Sequence, residues 1–207
     1  MTDFSIEKSI NGPVIGLDEV GRGPLAGPVV SCGCLFNSYE SLPSNIQIKD
    51  SKKHTPKQRK KLFSLFKKLQ KDKILEFHLG FASVKEIDEL NILEATKLSM
   101  KRVIDKFNKP HVSIIIDGNF SLNYKNINER SIIGGDKLSI SIAASSIIAK
   151  VHRDRLMSYY DNKFSEYGWK NNSGYGTKQH INAILQSGVT IHHRKSFEPI
   201  KSLSEKN

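Results

Sequence analysis

Four carboxylates stand in this sequence where their side chains could work together. Asp18 and Glu19 close the apolar run "VIGL", Asp117 closes the run "SIII", and Asp136 follows a double glycine. Carboxylates at the strand ends of an open α/β sheet lie where binding sites usually form. Clustered carboxylates repel one another, and Mg²⁺ or Mn²⁺ removes that repulsion through hard oxygen ligands. We therefore predict a site for two divalent ions about 3.5–4 Å apart, an arrangement that hydrolyses phosphodiesters.

The neighbouring acids Asp18 and Glu19 pose a geometric difficulty, because successive residues of a strand face opposite sides of the sheet. They can share one site only if the strand ends or twists there, and Gly21 and Gly23 follow directly. Taken singly, each acid also fits a surface or helix-capping position. The placement of all four beside glycine or another acid, at the boundaries of elements, favours the shared site.

The loop "GRGPLA", residues 21–26, matches the dinucleotide fingerprint G-x-G-x-x-G/A. That fingerprint must open a helix, whereas the following "GPVVSCGCLF" is rich in β-formers and contains Pro28. We predict instead that the loop brings backbone N–H groups close to a substrate backbone, with Arg22 meeting a phosphate. An ordinary hairpin turn with an exposed Arg22 is the alternative.

The elements that must position these residues follow from the periodicity of the chain. "PVIGLDEV", "PVVSCGCLF" and "ILEFHLGFAS" are typical of strands, and the Ile run of "HVSIIIDGN" predicts a strand buried on both faces, as in a parallel or mixed central sheet. Helices are predicted over Thr55–Asp72, where "TPKQ" forms a capping box, over about 91–107, and from Ser139 to about 164. A further helix should stop near Gly188, and the tail "KSLSEKN" should fray. This order indicates an α/β domain with a helical C-terminal part.

Composition bears on the partner and the compartment. The chain has 207 residues and a formal net charge of +11, much of it in "KDSKKHTPKQRKKLFSLFKKLQKDK". Such a charge favours a polyanionic partner, most commonly nucleic acid, although a solvated lysine-rich face is the alternative. No apolar run of about 18 residues and no secretory pattern is present, so we expect a soluble intracellular protein without a membrane partner. We interpret Cys32 and Cys34 as small buried hydrophobes.

Several other polar residues have a less specific interpretation. Asp154 could be a fifth acid near the metals, but a salt bridge with an arginine is favoured. His180 should lie in the first turn of its helix, and Trp169 is interpreted as an exposed aromatic without a role. The segment 192–195, "HHRK", could pass for a metal cluster. Because histidine prefers softer metals, we assign that segment to packing or phosphate contact.

The stretch "GLDEVGRGPLAGPVV" closely resembles the signature of ribonuclease HII, the type 2 ribonuclease H. The motifs that follow agree in order: "DSKKHTPKQR", "NILEATKLSM", "IIIDGN", "GGDKLSISIAASSIIAKVHRDR", "GYGTKQH" and "HRKSF". Together they span residues 14–197. The resemblance implies a ribonuclease H-like fold, a mixed central β-sheet flanked by helices, in one catalytic domain, 1–207. Its helical C-terminal part, 165–207, would contact the substrate.

The resemblance also implies an activity and its residues. The RNA strand of RNA–DNA hybrids would be cut, and duplex DNA would be cut 5′ of a single ribonucleotide, as in ribonucleotide excision repair, leaving 3′-hydroxyl and 5′-phosphate ends. The implied residues are the metal-binding catalytic acids Asp18, Glu19, Asp117 and Asp136, the Gly21, Arg22 and Gly23 element that senses the ribose 2′-hydroxyl, a phosphate-contacting Lys52 and a junction-stacking Tyr175. We expect a cytoplasmic monomer.

One departure, one related family and two rival functions complete the comparison with the family pattern. His54 stands where the family usually has a hydrophobic residue, which leaves the flanking motif intact. The related ribonuclease HIII has an extra N-terminal domain and a Glu as fourth acid, so Asp136 and the early first motif favour ribonuclease HII. A binding module without catalysis would lack an acid, and a dinucleotide-dependent enzyme would need a helix after "GRGPLA".

Overall fold

The computed structural model describes residues 2–42, 48 and 51–204. The strands are β1 Val14–Val20, β2 Val29–Phe36, β3 Leu75–Ala82, β4 Ser113–Asp117 and β5 Asn128–Ile132. The helices are α1 Ser5–Lys8, α2 Pro56–Lys71, α3 Val84–Leu90, α4 Ile92–Ile104, α5 Ile140–Asp161, α6 Trp169–Asn172, α7 Lys178–Ser187 and α8 Ile200–Ser204. Short 3₁₀ turns span Ser51–Lys53, Gly135–Lys137 and Ser165–Tyr167.

The five strands form one mixed sheet in the order β3-β2-β1-β4-β5. β1 pairs antiparallel with β2, and β2 with β3, whereas β1 and β4 are parallel, as are β4 and β5. The prediction of a mixed sheet with a buried β4 is therefore confirmed. β1 and β4 occupy the interior of the sheet because their apolar residues are buried on both faces.

Helices cover both faces of the sheet. The Ala/Ser-rich start of α5 crosses β1 so closely that a Cβ at Gly16 would overlap the side chain of Ser141. On the opposite face α4 lies against β3, where a Cβ at Gly80 would overlap the backbone of Ser99. The missing side chain of Gly16 lets α5 lie close to β1, and the missing side chain of Gly80 lets α4 lie close to β3.

Helix α2 begins as predicted. The Thr55 hydroxyl accepts from the Gln58 N–H at 3.3 Å, and the Thr55 N–H donates to Gln58 Oε1 at 2.7 Å. This capping box satisfies N–H groups that the first helical turn leaves without partners. The helix buries Phe63, Phe66 and Leu69 against the rest of the domain.

Trp169 was expected to be exposed, and the structure corrects this. Its side chain is fully buried, stacked on Tyr167 with ring centroids 5.0 Å apart. Both rings belong to an apolar cluster that joins the C-terminal part to the loop after β1 through Leu25 and Ala26. A lone Trp in a polar segment gives no local indication of this burial, because its neighbours come from other parts of the chain.

The end of the chain also differs from expectation. Residues 201–204 of the tail expected to fray belong to α8, while residues 205–207 lie outside the described part of the chain. Cys32 and Cys34 are free, buried thiols on β2, which confirms their interpretation as small hydrophobes. In the described ranges no helix combines the length and apolar character needed to cross a membrane.

Candidate active site

A cavity of about 460 Å³ opens at the carboxyl ends of β1 and β4. The predicted residues that border it are Asp18, Glu19, Lys52, Asp117, Asp136 and Tyr175. They come from five separate segments of the chain between β1 and α7. The structure thus brings together all four predicted acids, the predicted phosphate-contacting lysine and the predicted stacking tyrosine.

The register between β1 and β4 places two of the acids side by side. Leu17 and Ile116 are the last parallel partners, and Asp18 and Asp117 are the next residues of the two strands. Pairing of β1 with β2 continues as far as Val20. Beyond Asp18 one edge of β1 is therefore free of its neighbour, and Glu19 also borders the cavity. This resolves the difficulty of two successive strand residues sharing one site.

Asp136 reaches the cavity through a glycine turn. Gly134 has a φ of 66°, in the left-handed region that glycine adopts without strain, and a one-turn 3₁₀ helix follows. The Gly135 N–H donates to Asp117 Oδ1 at 2.7 Å. A Cβ on Gly135 would overlap Ile142 of α5. The double glycine thus allows the backbone beside Asp136 to approach Asp117 closely.

Burial and mutual repulsion act on these acids together. Burial raises the pKa of Asp18 well above its usual range, and the charges of Glu19 and Asp117 raise it further. Burial also raises the pKa of Glu19, although the nearby Arg22 opposes this and lowers it. The Glu19 N–H donates to Asp18 Oδ1 at 2.7 Å, and a hydrogen bond with Ser146 also favours the charged form of Asp18. Asp18 and Glu19 are therefore costly to keep ionised without a cation.

The carboxylate oxygens fit hard divalent cations. Glu19 Oε2 is buried and accepts no hydrogen bond from any described residue, while Oε1 lies 3.3 Å from Arg22 Nη1. Burying a carboxylate oxygen without a hydrogen bond is unfavourable, and a bound cation would compensate its charge. Within the described ranges, no three His, Cys, Asp or Glu side chains are grouped so as to hold an ion unaided. Mg²⁺ usually keeps several waters and takes one or two carboxylates together with substrate phosphates.

The loop after β1 leads into β2, which excludes the dinucleotide-binding geometry. Gly21 has a φ of 97°, and a Cβ there would overlap the Arg153 side chain. The Arg22 guanidinium lies over the Phe120 ring at 5.8 Å. A Cβ on Gly23 would lie 3.5 Å from Tyr175 Cε1, so the tyrosine ring rests against the glycine backbone. The loop and Tyr175 therefore lie against each other beside the acids, and we call the place where they meet the slot.

Arg153 of α5 holds one side of this slot. Its side chain is fully buried and donates to the carbonyl oxygens of Ala26 at 2.9 Å, Pro28 at 3.1 Å and Ser173 at 2.8 Å. Burial lowers the pKa of Arg153 to about 10, so the guanidinium remains a cation at neutral pH. It connects the loop after β1 with the segment that precedes Tyr175.

Arg194 holds the other side of the loop. This buried guanidinium donates to the carbonyl oxygens of Gly21 at 2.5 Å, Arg22 at 2.8 Å and Gly27 at 2.7 Å. Burial lowers the pKa of Arg194 to about 9. Because its N–H groups are used on backbone, Arg194 packs within the protein and phosphate contact, one of the two sequence interpretations, is wrong for this residue.

Comparison with known proteins supports these observations. Residues 15–200 match the family model described as Ribonuclease HII. The chain belongs to the ribonuclease HII family. A ribonuclease HII of Wolbachia pipientis subsp. Culex pipiens (strain wPip) is 49% identical over 201 residues, 97% of this chain and 98% of that relative. The predicted preference for ribonuclease HII over ribonuclease HIII is confirmed.

Solved structures confirm the ribonuclease H-like α/β fold. The ribonuclease H2 of Pyrococcus horikoshii OT3 is similar with a TM-score of 0.74 and 28% identity, covering 94% of this chain and 98% of that one. Bst-RNase HIII, solved in complex with Mn²⁺, has the same fold with a TM-score of 0.65 at 16% identity, over 94% of this chain and 71% of that one.

Around the ribonuclease HII acids lies a set of cations that the sequence analysis did not single out. Arg59 and Lys150 border the cavity together with Lys52. Arg59 Nη1 donates to the Ser51 carbonyl at 3.1 Å, which fastens the turn carrying Lys52 to α2. Asp154 accepts from Lys150 at 2.6 Å and lies 3.8 Å from Arg59. The predicted salt bridge of Asp154 with an arginine is confirmed, although a lysine is the nearer partner.

Among the described residues, the histidines form no group that could hold a metal ion. His180 lies in the first turn of α7, as predicted, where the Thr177 hydroxyl accepts from its N–H at 3.3 Å. His193 is buried against it, and His192 stacks on Tyr160 with ring centroids 4.1 Å apart. Their packing confirms the assignment made from the sequence for these two histidines of the segment.

Proposed function

We propose that this chain is an endoribonuclease that hydrolyses the RNA strand of RNA–DNA hybrids. We also propose that it cuts duplex DNA on the 5′ side of a single ribonucleotide, leaving a 3′-hydroxyl and a 5′-phosphate. One observation carries the proposal: the four acids of the ribonuclease HII motifs border one cavity, next to the slot where the glycine loop meets an exposed tyrosine. Membership of the ribonuclease HII family supports it.

Asp18, Glu19, Asp117 and Asp136 are proposed to hold two Mg²⁺ or Mn²⁺ ions. When bound, such ions activate a water for in-line attack on the phosphodiester and stabilise the departing 3′-oxygen. The protein fixes the positions of the carboxylates. β1 and β4 place Asp18 and Asp117 side by side, and the Gly135 N–H orients Asp117 by a hydrogen bond. The unsatisfied oxygen of Glu19 supports its role as a ligand.

Gly21, Arg22 and Gly23 are proposed to read the ribose 2′-hydroxyl. RNA differs from DNA at a given nucleotide in this hydroxyl, so a selective enzyme must touch it. Gly23 has no side chain to keep the sugar away, and Arg22 is 42% exposed beside the acids. Tyr175, 46% exposed, offers a flat ring on the other side of the slot for stacking at the ribose–deoxyribose junction.

Lys52 is proposed to contact a phosphate of the substrate. It borders the cavity on a turn that α2 and α5 fasten from both sides. Arg59 and Lys150 extend the positive charge along the same wall. A phosphodiester backbone crossing this wall would release counterions and bind with a strong dependence on salt.

The alternative route for cutting RNA, attack by the 2′-hydroxyl itself, usually needs a general acid–base pair such as two histidines. None of the described residues that border the cavity is a histidine. Direct hydrolysis therefore suits the cavity better. We further propose that residues 1–207 act as one catalytic domain and as a cytoplasmic monomer, with residues 165–207 contacting the substrate.

The test is end-group analysis of a duplex with one labelled ribonucleotide. The proposal expects a cut 5′ of the ribonucleotide, with a 3′-hydroxyl upstream and a 5′-phosphate on the ribonucleotide-bearing fragment. A cyclic phosphate product, or cleavage that persists in excess chelator, would overturn the two-metal mechanism. Failure to cut either this duplex or a long hybrid in Mg²⁺ or Mn²⁺ would overturn the activity itself.

A further inference from the structure

A buried network of rings lies directly behind Tyr175. His180, His193 and Trp169 are all at most 1% exposed. The His180 Nε2 atom lies 2.9 Å from Trp169 Nε1 and 3.1 Å from His193 Nε2, and His180 Nδ1 lies 2.9 Å from the Tyr175 carbonyl oxygen. All of these distances are within hydrogen-bonding range. Of the residues in the network, Tyr175 borders the acidic cavity and the three buried rings do not.

The partners determine which nitrogen carries each proton. The indole N–H of Trp169 can only donate, so His180 Nε2 accepts. In the neutral ring the proton is then on Nδ1, which donates to the Tyr175 carbonyl. The Thr190 N–H can only donate to His193 Nδ1, at 2.9 Å, so His193 Nε2 carries its proton and donates to His180. His180 Nε2 is therefore an acceptor shared by the N–H groups of Trp169 and His193. Along the path from Thr190 through His193 and His180, each N–H points toward the Tyr175 carbonyl.

Both histidines are neutral at physiological pH, which this arrangement requires. Burial lowers the pKa of His193 to about 4, and the neighbouring His180 and His192 contribute in the same direction. Burial lowers the pKa of His180 as well. A second proton on His180 would lie on Nε2, where it would oppose the N–H groups of Trp169 and His193.

The two ends of the network touch the two sides of the slot. At one end Tyr175 is held through its carbonyl, which also accepts from the Thr177 N–H at 2.8 Å, while its ring rests against Gly23. At the other end His193 is followed directly by Arg194, whose guanidinium holds the carbonyls of Gly21 and Arg22. Arg194 therefore contacts the glycine loop, and His193, the residue before it, connects through His180 to Tyr175.

We infer that His193 and His180 are positioning residues that set the distance of the Tyr175 ring from the Gly21–Gly23 loop. This inference rests on the proposed function, since the slot matters only if the loop and Tyr175 read a ribonucleotide junction. Neither histidine contacts substrate. Their contribution should therefore appear in the choice between substrates, because a single ribonucleotide in DNA has a junction to stack on and the interior of a long hybrid has none.

The principal test compares His193→Phe with His193→Gln. Phenylalanine keeps a ring against Tyr167 and Trp169, at centroid distances of 4.8 and 5.3 Å, but donates no hydrogen bond. Glutamine retains an N–H donor that can reach His180. The readout is the ratio of kcat/KM on a one-ribonucleotide duplex to kcat/KM on a long hybrid. We expect His193→Phe to lower this ratio about 3- to 10-fold, the range for the loss of one neutral hydrogen bond, and mainly through KM. We expect the ratio of His193→Gln to stay close to that of the wild type.

A matched control separates positioning from general stability. Tyr167→Phe removes the hydroxyl that donates to the Gly188 carbonyl at 2.8 Å, within the same aromatic cluster but outside the histidine network. It should lower the melting temperature and leave the substrate ratio unchanged. If Tyr167→Phe lowers the ratio as much as His193→Phe does, the effect is one of stability and the inference is wrong.

A second pair at His180 keeps the inference testable if His193→Phe does not fold. His180→Asn retains an N–H donor at the δ position for the Tyr175 carbonyl, whereas His180→Leu removes it at similar volume. The ratio of kcat/KM on the one-ribonucleotide duplex to kcat/KM on the long hybrid should fall in His180→Leu and stay close to the wild-type value in His180→Asn. Equal ratios for the two variants would overturn the inference.

Tyr175→Ala distinguishes the inference from its premise. If Tyr175→Ala lowers the ratio and the histidine variants do not, the positioning role is refuted while the proposed function stands. If Tyr175→Ala leaves the ratio unchanged, the tyrosine does not read junctions and the inference fails with it. Wild-type protein that cuts neither substrate would refute the proposed function instead.

Discussion

Asp18 and Asp117 are neighbours at the carboxyl ends of two adjacent parallel strands, one residue beyond the paired Leu17 and Ile116. This relationship places two carboxylates together without any contribution from loops. Burial raises the pKa of Asp18 most, and the charges of Glu19 and of this neighbouring Asp117 raise it further.

Asp117→Asn should abolish turnover while the protein stays folded. Asparagine keeps an oxygen for the Gly135 N–H but loses the charge that a divalent ion needs. We expect kcat to fall by about 100-fold or more, in line with losses of key electrostatic groups, with hybrid binding within a few fold. Asp105→Asn on the exposed end of α4 is the control and should keep activity. Full activity of Asp117→Asn in Mg²⁺ would remove Asp117 from the site.

Divalent ions should stabilise the folded protein in the absence of substrate. Ligands that bind the native state raise its stability by RT ln(1 + [L]/Kd), about 2.7 kcal/mol at 100 times Kd. Melting temperature should therefore rise with Mg²⁺ or Mn²⁺ concentration. The increase should be smaller in Asp18→Asn, which removes one of the crowded charges. An identical increase in wild type and Asp18→Asn would place the bound ions elsewhere.

Arg194→Lys should destabilise the protein and weaken substrate selection. A lysine carries one ammonium on a flexible stem and cannot reach three carbonyls in the planar arrangement of a guanidinium. We expect a loss of about 2–4 kcal/mol in urea unfolding, since backbone carbonyls would be left buried without donors. Lys195→Ala, the exposed neighbour, is the matched control and should change stability by less than about 0.5 kcal/mol. Equal stability of the two variants would show that the carbonyl contacts are not needed.

His193 should make stability depend on pH in mildly acidic solution. Its folded pKa of about 4 lies below the unfolded value of 6.5, so the unfolded chain binds the proton more readily. The stability from this residue is full above pH 6.5 and is lost as pH falls toward 4, by up to about 3 kcal/mol. Urea unfolding at several pH values should show a shallower slope between these limits for His193→Phe. The same slope in both proteins would mean that His193 is not held neutral.

Lys52 should contribute to the salt dependence of binding. Each phosphate contact adds about 0.9 to the slope of log affinity against log salt on B-like duplex. Lys52→Ala should reduce the slope by roughly that amount, and Lys85→Ala, an 83% exposed lysine on α3, should leave it unchanged. Fluorescence anisotropy in the absence of divalent ions measures both. An unchanged slope for Lys52→Ala would assign that residue to a solvated face.

Several features could be read from the sequence because their causes are local. The capping box of Thr55 and Gln58, the buried Ile run of β4 and the Ala/Ser-rich start of α5 depend on residues a few positions apart, and all are present in the structure. A capping box at Ser83 and Glu86 starts α3 in the same way. The sequence does not show this capping box clearly, because the strand-like pattern "ILEFHLGFAS" continues through Ser83. The four acids were found because each stands at the end of an element.

The remaining features depend on contacts between distant parts of the chain. β5 is a polar edge strand, "NERSI", whose pairing with β4 no alternation of its own predicts. Trp169 is buried by residues from other segments, and Arg194 donates to carbonyls 167 to 173 positions away. The residues next to Arg194 in the sequence do not indicate these partners. A buried arginine and an exposed arginine can stand in similar local sequences, because burial depends on distant parts of the chain. The sequence alone therefore determined the family and the acids, whereas the packing of the C-terminal part decided how Tyr175 and the glycine loop face each other.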